Sequence, residues 1–178
     1  MGIFDFFKKE EEPSYDATNI QVTDLNVGFV FEYDLSTWEV KAVYRYDWGN
    51  EHFSREFKVS NGVDTRYLSL EDDDEIELEW SKKVKISKID IDLLDTLITE
   101  QKPPRKIHYE GTAYRLANSS MGYFFDEGTD EDWAEFRTWN FESAQEETLT
   151  IEQWDDEEFD ASVGKVIKEF EISNILPV

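Results

Sequence analysis

The chain has 178 residues and a formal net charge of −24 at pH 7, from 42 acidic and 18 basic residues. Hydrophobic residues make up 39% of the sequence and aromatic residues 15%, a composition that indicates a folded protein rather than a disordered one. The strong negative charge argues against direct contact of the main body with nucleic acid or with an anionic membrane surface. Because the chain has no cysteine, disulfides, thiolate catalysis and cysteine-ligated zinc are excluded.

Residues 1–19 are predicted to form an N-terminal tip and a charged linker, followed by a single β-rich domain over residues 20–178. The tip carries four apolar residues that could contact a membrane surface, a protein partner or the protein's own body, namely Ile3, Phe4, Phe6 and Phe7. Its order of charged and apolar residues does not fit a secretory signal, and no apolar run is long enough to span a membrane. We therefore expect a cytoplasmic location.

The most pronounced strand pattern lies in residues 37–48, T-W-E-V-K-A-V-Y-R-Y-D-W, where apolar residues occupy every second position. Such alternation places these side chains on one face of a pleated strand, and the predicted face comprises Trp38, Val40, Ala42, Tyr44, Tyr46 and Trp48. Similar alternation occurs in four further segments, residues 29–33, 51–59, 63–71 and 76–80, with Asn61-Gly62 as a hairpin turn. Five strands in order, joined by short turns, predict an antiparallel meander.

Residues 87–98 change to helical spacing, with apolar side chains at Ile91, Leu94, Leu97 and Ile98. Ser87 and Asp90 resemble a capping box, and two prolines at 103–104 end the pattern. One short helix is therefore predicted near residues 88–100. Strand patterns then resume at residues 106–109, 111–116, 122–125, 135–141, 147–154 and 165–172.

A short sequence echo links the two parts of the domain. Residues 68–71, L-S-L-E, and residues 149–152, L-T-I-E, each follow an aromatic strand and precede an acidic turn. The echo predicts two similar halves, about residues 20–86 and 105–175, for which duplication is one hypothesis. The predicted fold is mainly β, either an antiparallel sandwich or two packed β-rich halves, repeated under the duplication hypothesis, with one short helix between them.

The order of these segments resembles a bacterial family known as domain of unknown function 4178. The segments that carry the resemblance are W-E-V (38–40), the aromatic strand that ends at Trp48, R-Y-L-S-L-E-D-D (66–73), Y-E-G-T-A-Y (109–114), F-R-T-W-N-F (136–141), L-T-I-E-Q-W-D (149–155) and Gly164. The resemblance extends over residues 25–173. It implies a soluble bacterial β-rich domain, and it carries over no catalytic residue because the shared motifs are aromatic and structural.

The residues that could carry metal or acid–base chemistry do not form a known motif. His52 and His108 lack metal-ligand spacing and belong to no nucleophile motif. The acidic runs at residues 71–75 and 126–132 do not match a calcium loop, and solvated turns account for them, so no metal or cofactor is expected. Glu71 and Glu152, at equivalent points of the echo, are the best candidates for a catalytic carboxylate pair, whose separation across a cleft a sequence does not give.

Three tryptophans, Trp133, Trp139 and Trp154, lie close in sequence around an acidic loop. On neighbouring strands, Trp139 and Trp154 could form an exposed patch that binds a partner, although packing in the core would also account for them. The leading hypothesis is a non-enzymatic binding or scaffold module of the bacterial cytoplasm that docks a protein partner through an aromatic β surface. The alternatives are a carboxylate-dependent hydrolase that uses Glu71 and Glu152, and an acidic mimic of nucleic acid that binds basic nucleic-acid-binding proteins.

Overall fold

The computed structural model describes residues 15–177, which form eleven strands and two helices. The strands are β1 (Val30–Tyr33), β2 (Ser36–Asp47), β3 (Phe53–Ser60), β4 (Thr65–Asp72), β5 (Ile76–Val84), β6 (Lys106–Tyr109), β7 (Thr112–Asp126), β8 (Ala134–Ser143), β9 (Glu147–Asp155), β10 (Glu158–Ile167) and β11 (Ser173–Leu176). The helices α1 (Ile86–Ile89) and α2 (Leu93–Glu100) connect β5 to β6. The prediction of a mainly β, antiparallel fold is confirmed.

Eight of the strands close into a ring, which we call the closed sheet. They pair in the order β2-β3-β4-β5-β10-β9-β8-β7, and β7 pairs back onto β2. The closing contact is antiparallel and runs from Tyr44 opposite Asp126 to Asp47 opposite Tyr123. Because alternate side chains of a strand point to opposite faces, closure gives every strand one row of side chains toward the interior and one toward the exterior.

The two halves of the chain enter the closed sheet in the same way. Each begins with a tight hairpin, β1–β2 or β6–β7, and continues as an antiparallel meander. The two turns consist of Asp34-Leu35 and Glu110-Gly111, and all four residues have positive φ, as a two-residue turn between twisted strands requires. A common origin of the halves stays a prediction.

Within the closed sheet the halves meet at two seams, β2–β7 and β5–β10, and each seam contains a glycine in close contact with the opposite strand. Outside the closed sheet, β11 pairs with β1. A Cβ atom on Gly122 would lie 2.9 Å from the carbonyl oxygen of Asp47 and 3.0 Å from the Trp48 ring. A Cβ atom on Gly164 would lie 2.7 Å from the carbonyl oxygen of Trp80. Any larger residue at either position would push the two halves apart.

Two separate hydrophobic cores cover the exterior of the closed sheet. The first lies on β2 to β5 and is covered by residues 20–29, β1 and Ile172; its fully buried members include Phe31, Phe57 and Leu68. The second lies on β7 to β10 and is covered by α1, α2 and β6; its members include Phe141, Leu149 and Ile151. Burying each such side chain contributes roughly 1.5–3 kcal/mol. The cores therefore stabilise the closed sheet from outside.

The alternation in residues 37–48 predicted that the apolar residues of β2 share one face, and this prediction is wrong. The pairing of β2 with β3 shifts register between Val40 and Ala42, which marks a β-bulge. Beyond the bulge the alternation is inverted, so Trp38, Val40 and Val43 lie in the first core. Tyr46 and Trp48 lie instead on the interior face. One extra residue thus divides the aromatic row between two environments.

Other sequence predictions also need correction. The predicted short helix near residues 88–100 is present as α2, and the one-turn helix α1 precedes it. Because α1 begins after Lys85 without a side-chain cap, the predicted Ser87 capping box is absent. The two strands predicted at residues 111–116 and 122–125 are one strand, β7. The last predicted strand, residues 165–172, comprises the end of β10 and a 3-10 turn at Glu169–Glu171, and β11 begins just after it at Ser173. Within residues 15–177, neither helix is long and apolar enough to cross a membrane.

Candidate functional site

The interior of the closed sheet contains a cavity of about 350 Å³. Most of its lining residues are polar, because apolar residues that face the outer cores alternate along the strands with polar residues that face inward. The polar residues that line its central part are Ser54, Glu56, Ser69, Glu79, Ser81, Thr138, Asn140, Thr148, Thr150, Glu152 and Ser162.

Glu56 on β3 is the central carboxyl of this cavity. The Ser69 hydroxyl donates a hydrogen bond of 2.9 Å to its Oε2, and the Tyr46 hydroxyl donates one of 3.1 Å to its Oε1. Burial, reinforced by the charge of Glu152 and opposed by that of Lys83, raises the pKa of Glu56 to about 7. The group can therefore gain or lose a proton near neutral pH.

Lys83 and Glu152 form an ion pair between β5 and β9. The Lys83 Nζ lies 2.7 Å from Glu152 Oε2 and 3.8 Å from Asp160 Oδ2. It also lies 5.7 Å from the centre of the Tyr67 ring. Burial lowers the pKa of Lys83, but the Glu152 carboxylate outweighs it and the net pKa is raised, so the ammonium stays charged.

A chain of side-chain hydrogen bonds crosses β7, β8 and β9 on the same interior face. Asn140 Oδ1 accepts hydrogen bonds from the hydroxyls of Thr138 at 3.3 Å and Thr150 at 3.2 Å. Its Nδ2 donates a hydrogen bond of 2.7 Å to Asn118 Oδ1. The Asn140 amide is thus fixed in orientation, and the network presents neutral hydroxyl and amide groups on the wall facing Glu56.

One side of the cavity is bounded by an aromatic cluster. The rings of Tyr46 and Trp48 stack 5.7 Å apart at 8°, and both residues line the cavity. Phe136 packs behind them and stacks on Trp154 with centres 5.0 Å apart at 20°. Trp48 Nε1 donates a hydrogen bond of 2.9 Å to Ser54 Oγ, which holds the indole edge against β3.

The cavity opens toward solvent at one end of the closed sheet. The lining residues at this end are exposed: Glu77 lies at the start of β5, Glu142 near the end of β8 and Asn118 beside the β7 bulge. Glu71, opposite Glu77 on β4, also lines the cavity and pairs with His52 at 3.1 Å. The mouth is therefore acidic.

The two carboxylates predicted from the echo, Glu71 and Glu152, line the same cavity. They occupy different settings, because Glu71 lies at the mouth beside His52 while Glu152 pairs with Lys83. Glu56 was not among the carboxylates that the sequence pattern indicated. In the sequence, Glu56 is simply a glutamate on the polar side of a strand. It becomes a cavity residue only because closure of the sheet turns that polar side inward.

The predicted tryptophan surface is not formed as a unit. Trp139 is buried in the second outer core at 5% exposure, whereas Trp154 lies on the interior face against Phe136. Trp133 is 44% exposed and stacks on Phe125 at 5.2 Å. The apolar tip, Ile3, Phe4, Phe6 and Phe7, lies outside the described residues. Among residues 15–177, no group of three or more His, Asp or Glu side chains is arranged to hold a metal ion.

Comparison with known proteins supports the family resemblance found in the sequence. A relative from Aquifex aeolicus (strain VF5), described as an uncharacterized protein, is 27% identical over 172 residues, which cover 97% of this chain and 94% of the relative. No solved structure matches the chain significantly. The family model described as "Domain of unknown function (DUF4178)" matches residues 26–169. Since that match covers most of the chain, the protein belongs to this bacterial family.

Proposed function

We propose that the protein is a non-enzymatic binding module whose site is the interior cavity, and that it takes one small polar molecule there. The observation that carries the proposal is a polar cavity of about 350 Å³ inside a closed sheet of eight strands. A closed sheet of this size is just wide enough to hold one small ligand, and cavities of a few hundred Å³ suit ligands of that kind.

The folding free energy that the ionised Glu56 carboxyl costs supports a binding role for the cavity. Glu56 is surrounded by protein, and its raised pKa means that its ionised form opposes folding. Burial of a charge is seldom a source of stability, and carboxyls with shifted pKa values concentrate at functional sites. Two outer cores already stabilise the sheet. The interior polar groups are therefore better explained by a ligand than by folding.

The dispersal of the tryptophans favours the cavity over an aromatic docking surface. Of the three residues considered for a protein partner, Trp139 belongs to an outer core and Trp154 to the interior cluster. Trp133 is exposed and stacks on the half-buried Phe125, so the three tryptophans do not form one surface. A pair of this size is much smaller than the central cluster of a stable protein interface.

The test is a ligand screen with a variant that fills the cavity. A mixture of small metabolites would be screened by ligand-observed NMR against the wild type, Ser162→Phe, whose side chain would enter the cavity, and Ser119→Phe, an exposed control on β7. We expect hits that bind the wild type and the Ser119 variant but not the Ser162 variant. If Ser162→Phe fails to fold by circular dichroism, Thr150→Leu takes its place. Hits that bind all variants equally would refute the cavity as the site.

A second candidate function is hydrolysis by two carboxyls, favoured by the contrast between Glu56 and Glu152. Glu56 titrates near pH 7 and could act as a general acid, while Glu152 is paired with an ammonium that stabilises a carboxylate. This hypothesis predicts weak glycoside hydrolysis that Glu152→Gln and Glu56→Gln each abolish. An assay with nitrophenyl glycosides would measure it, and equal residual rates in wild type and variants would refute it.

A further inference from the structure

We infer that the molecule bound in the interior cavity is a small organic cation, held by the lining carboxylates and by the stacked faces of Tyr46 and Trp48. The inference rests on the proposed function, because it names the chemical class of the ligand for the same cavity. Four independent features of the cavity lead to it: the sign of its charge, the chemistry of its aromatic wall, an unused hydroxyl and the setting of its central carboxyl.

The charge of the lining favours a cation. Six residues with carboxyl side chains line the cavity: Glu56, Glu71, Glu77, Glu79, Glu142 and Glu152. The one basic residue of the lining, Arg55, directs its guanidinium away from the cavity, to the carbonyl oxygen of Thr23 and over the Phe57 ring of the first outer core. The nearby ammonium of Lys83 does not offset this excess, because it is already paired with Glu152 at 2.7 Å and lies 3.8 Å from Asp160. A low-dielectric wall focuses such a field into the cavity, which attracts cations and repels anions.

The aromatic wall favours an organic cation over a bare metal ion. Tyr46 and Trp48 stack nearly parallel and line the cavity beside Glu56. Aromatic faces attract ammonium groups through the ring quadrupole, and tryptophan is the strongest of them. Hard metal ions instead require several oxygens within about 2.6 Å of one point, and no such group of acidic or histidine side chains occurs in residues 15–177.

An unused hydrogen-bonding group lines the same cavity. The Thr148 hydroxyl oxygen is buried, and it has no hydrogen-bond partner in the described part of the chain. Burial raises the pKa of the neighbouring Glu79 carboxyl, and the Thr148 hydroxyl opposes that rise. A buried polar atom without a partner costs about 1–3 kcal/mol. An N–H donor of an ammonium ligand would satisfy this oxygen while its charge compensates Glu79.

The setting of Glu56 makes cation binding depend on pH. The groups that face its carboxyl are Tyr44 and Tyr46 on β2, Tyr67 and Ser69 on β4, Lys83 on β5 and Glu152 on β9. With these neighbours the pKa of Glu56 is about 7, so the carboxyl is largely protonated at pH 5.5 and largely ionised at pH 8.5. A cation would therefore bind the protein more tightly at the higher pH and would displace the Glu56 proton.

The experiment compares three probes of the same shape: benzylammonium, benzyl alcohol and benzoate, titrated into the full chain and followed by protein-observed NMR. We expect benzylammonium to bind at least tenfold more tightly than the other two at pH 8.5, and to lose about tenfold in affinity at pH 5.5. Glu56→Gln should remove that pH dependence. The exposed control Glu157→Gln should keep it.

The outcomes separate this inference from the proposed function. If benzyl alcohol or benzoate perturbs the cavity residues and benzylammonium does not, the ligand is not a cation, and the cavity is still a binding site. If benzylammonium perturbs only surface residues, the cation site is refuted. If neither these probes nor the metabolite screen perturbs the cavity, the proposed function fails as well. Because Glu56→Gln removes a costly buried charge, the variant is expected to fold.

Discussion

The substitution Glu56→Gln should make the protein more stable at pH 8 than the wild type. Raising the pKa of a carboxyl from 4.5 to about 7 means that the folded state holds the proton more tightly than the unfolded state does. A tenfold change in an ionisation constant is worth about 1.4 kcal/mol, so the ionised Glu56 costs about 3 kcal/mol of folding free energy. Glutamine avoids this cost, and its amide can still meet the Ser69 and Tyr46 hydroxyls.

The pH window follows from the sign of the pKa change. Below pH 4.5 the carboxyl is protonated in both the folded and unfolded states, so the wild type and Glu56→Gln should have similar stabilities. Between pH 4.5 and pH 7 the unfolded state ionises first, and the wild type loses stability relative to the variant. Above pH 7 the difference stays constant at its full value, which for a domain of this size is about 6–12 °C in the melting temperature.

The assay is urea unfolding of wild type, Glu56→Gln and the exposed control Glu157→Gln at pH 4.5, 6 and 8, followed by tryptophan fluorescence. The difference in unfolding free energy should grow with pH for Glu56→Gln. It should stay flat for the control, whose residue lies exposed in the turn between β9 and β10. Parallel pH profiles for all three proteins would refute the reasoning, because they would mean that Glu56 ionises in the folded state as readily as in the unfolded state.

Three further substitutions test the sheet and its interior. Gly164→Ala should lower the free energy of unfolding, measured with urea, by roughly 1–3 kcal/mol, because the new Cβ would lie 2.7 Å from a carbonyl oxygen of β5. The control Gly128→Ala should be near neutral, because Gly128 lies in a loop where the nearest atom belongs to a flexible side chain. Phe141→Ala should cost roughly 3–5 kcal/mol, since the ring is fully buried in the second core; a loss below 1 kcal/mol by the same method would contradict that packing. Lys83→Met should destabilise the protein more at pH 8 than at pH 5, because the Lys83 charge offsets the Glu56 charge only where Glu56 is ionised. Equal losses in thermal melts at the two pH values would contradict this coupling.

Much of the fold could be predicted from sequence because its strands obey a local rule. The alternation in residues 29–33, 37–48 and 51–59 and the Asn61-Gly62 turn each report on a few neighbouring residues. The β2 bulge could not be predicted in this way. A bulge inserts one residue without changing composition, and its register is set by pairing with β3.

The site was harder to predict because its environment depends on contacts that are distant in sequence. Glu56 occupies a polar position of a strand, where a solvated side chain is the ordinary expectation. Its burial depends on the β2–β7 contact, which joins residues about 80 positions apart and consists of four residue pairs. The echo pointed to Glu71 and Glu152, and both do line the cavity. Glu56 had no counterpart in that echo.

The two seams also determine how the chain can be divided. Each half taken alone has two strand edges with unpaired backbone groups, β2 and β5 in one half and β7 and β10 in the other, and each edge finds its partner on the opposite half. The connection between the halves passes through residues 101–105, between α2 and β6. A cut there would divide the strands that line the cavity between two fragments, which would also share the β1–β11 pairing and the contact of Ile172 with the first core. The cavity would therefore exist only where both fragments have met, because strands of both halves line it.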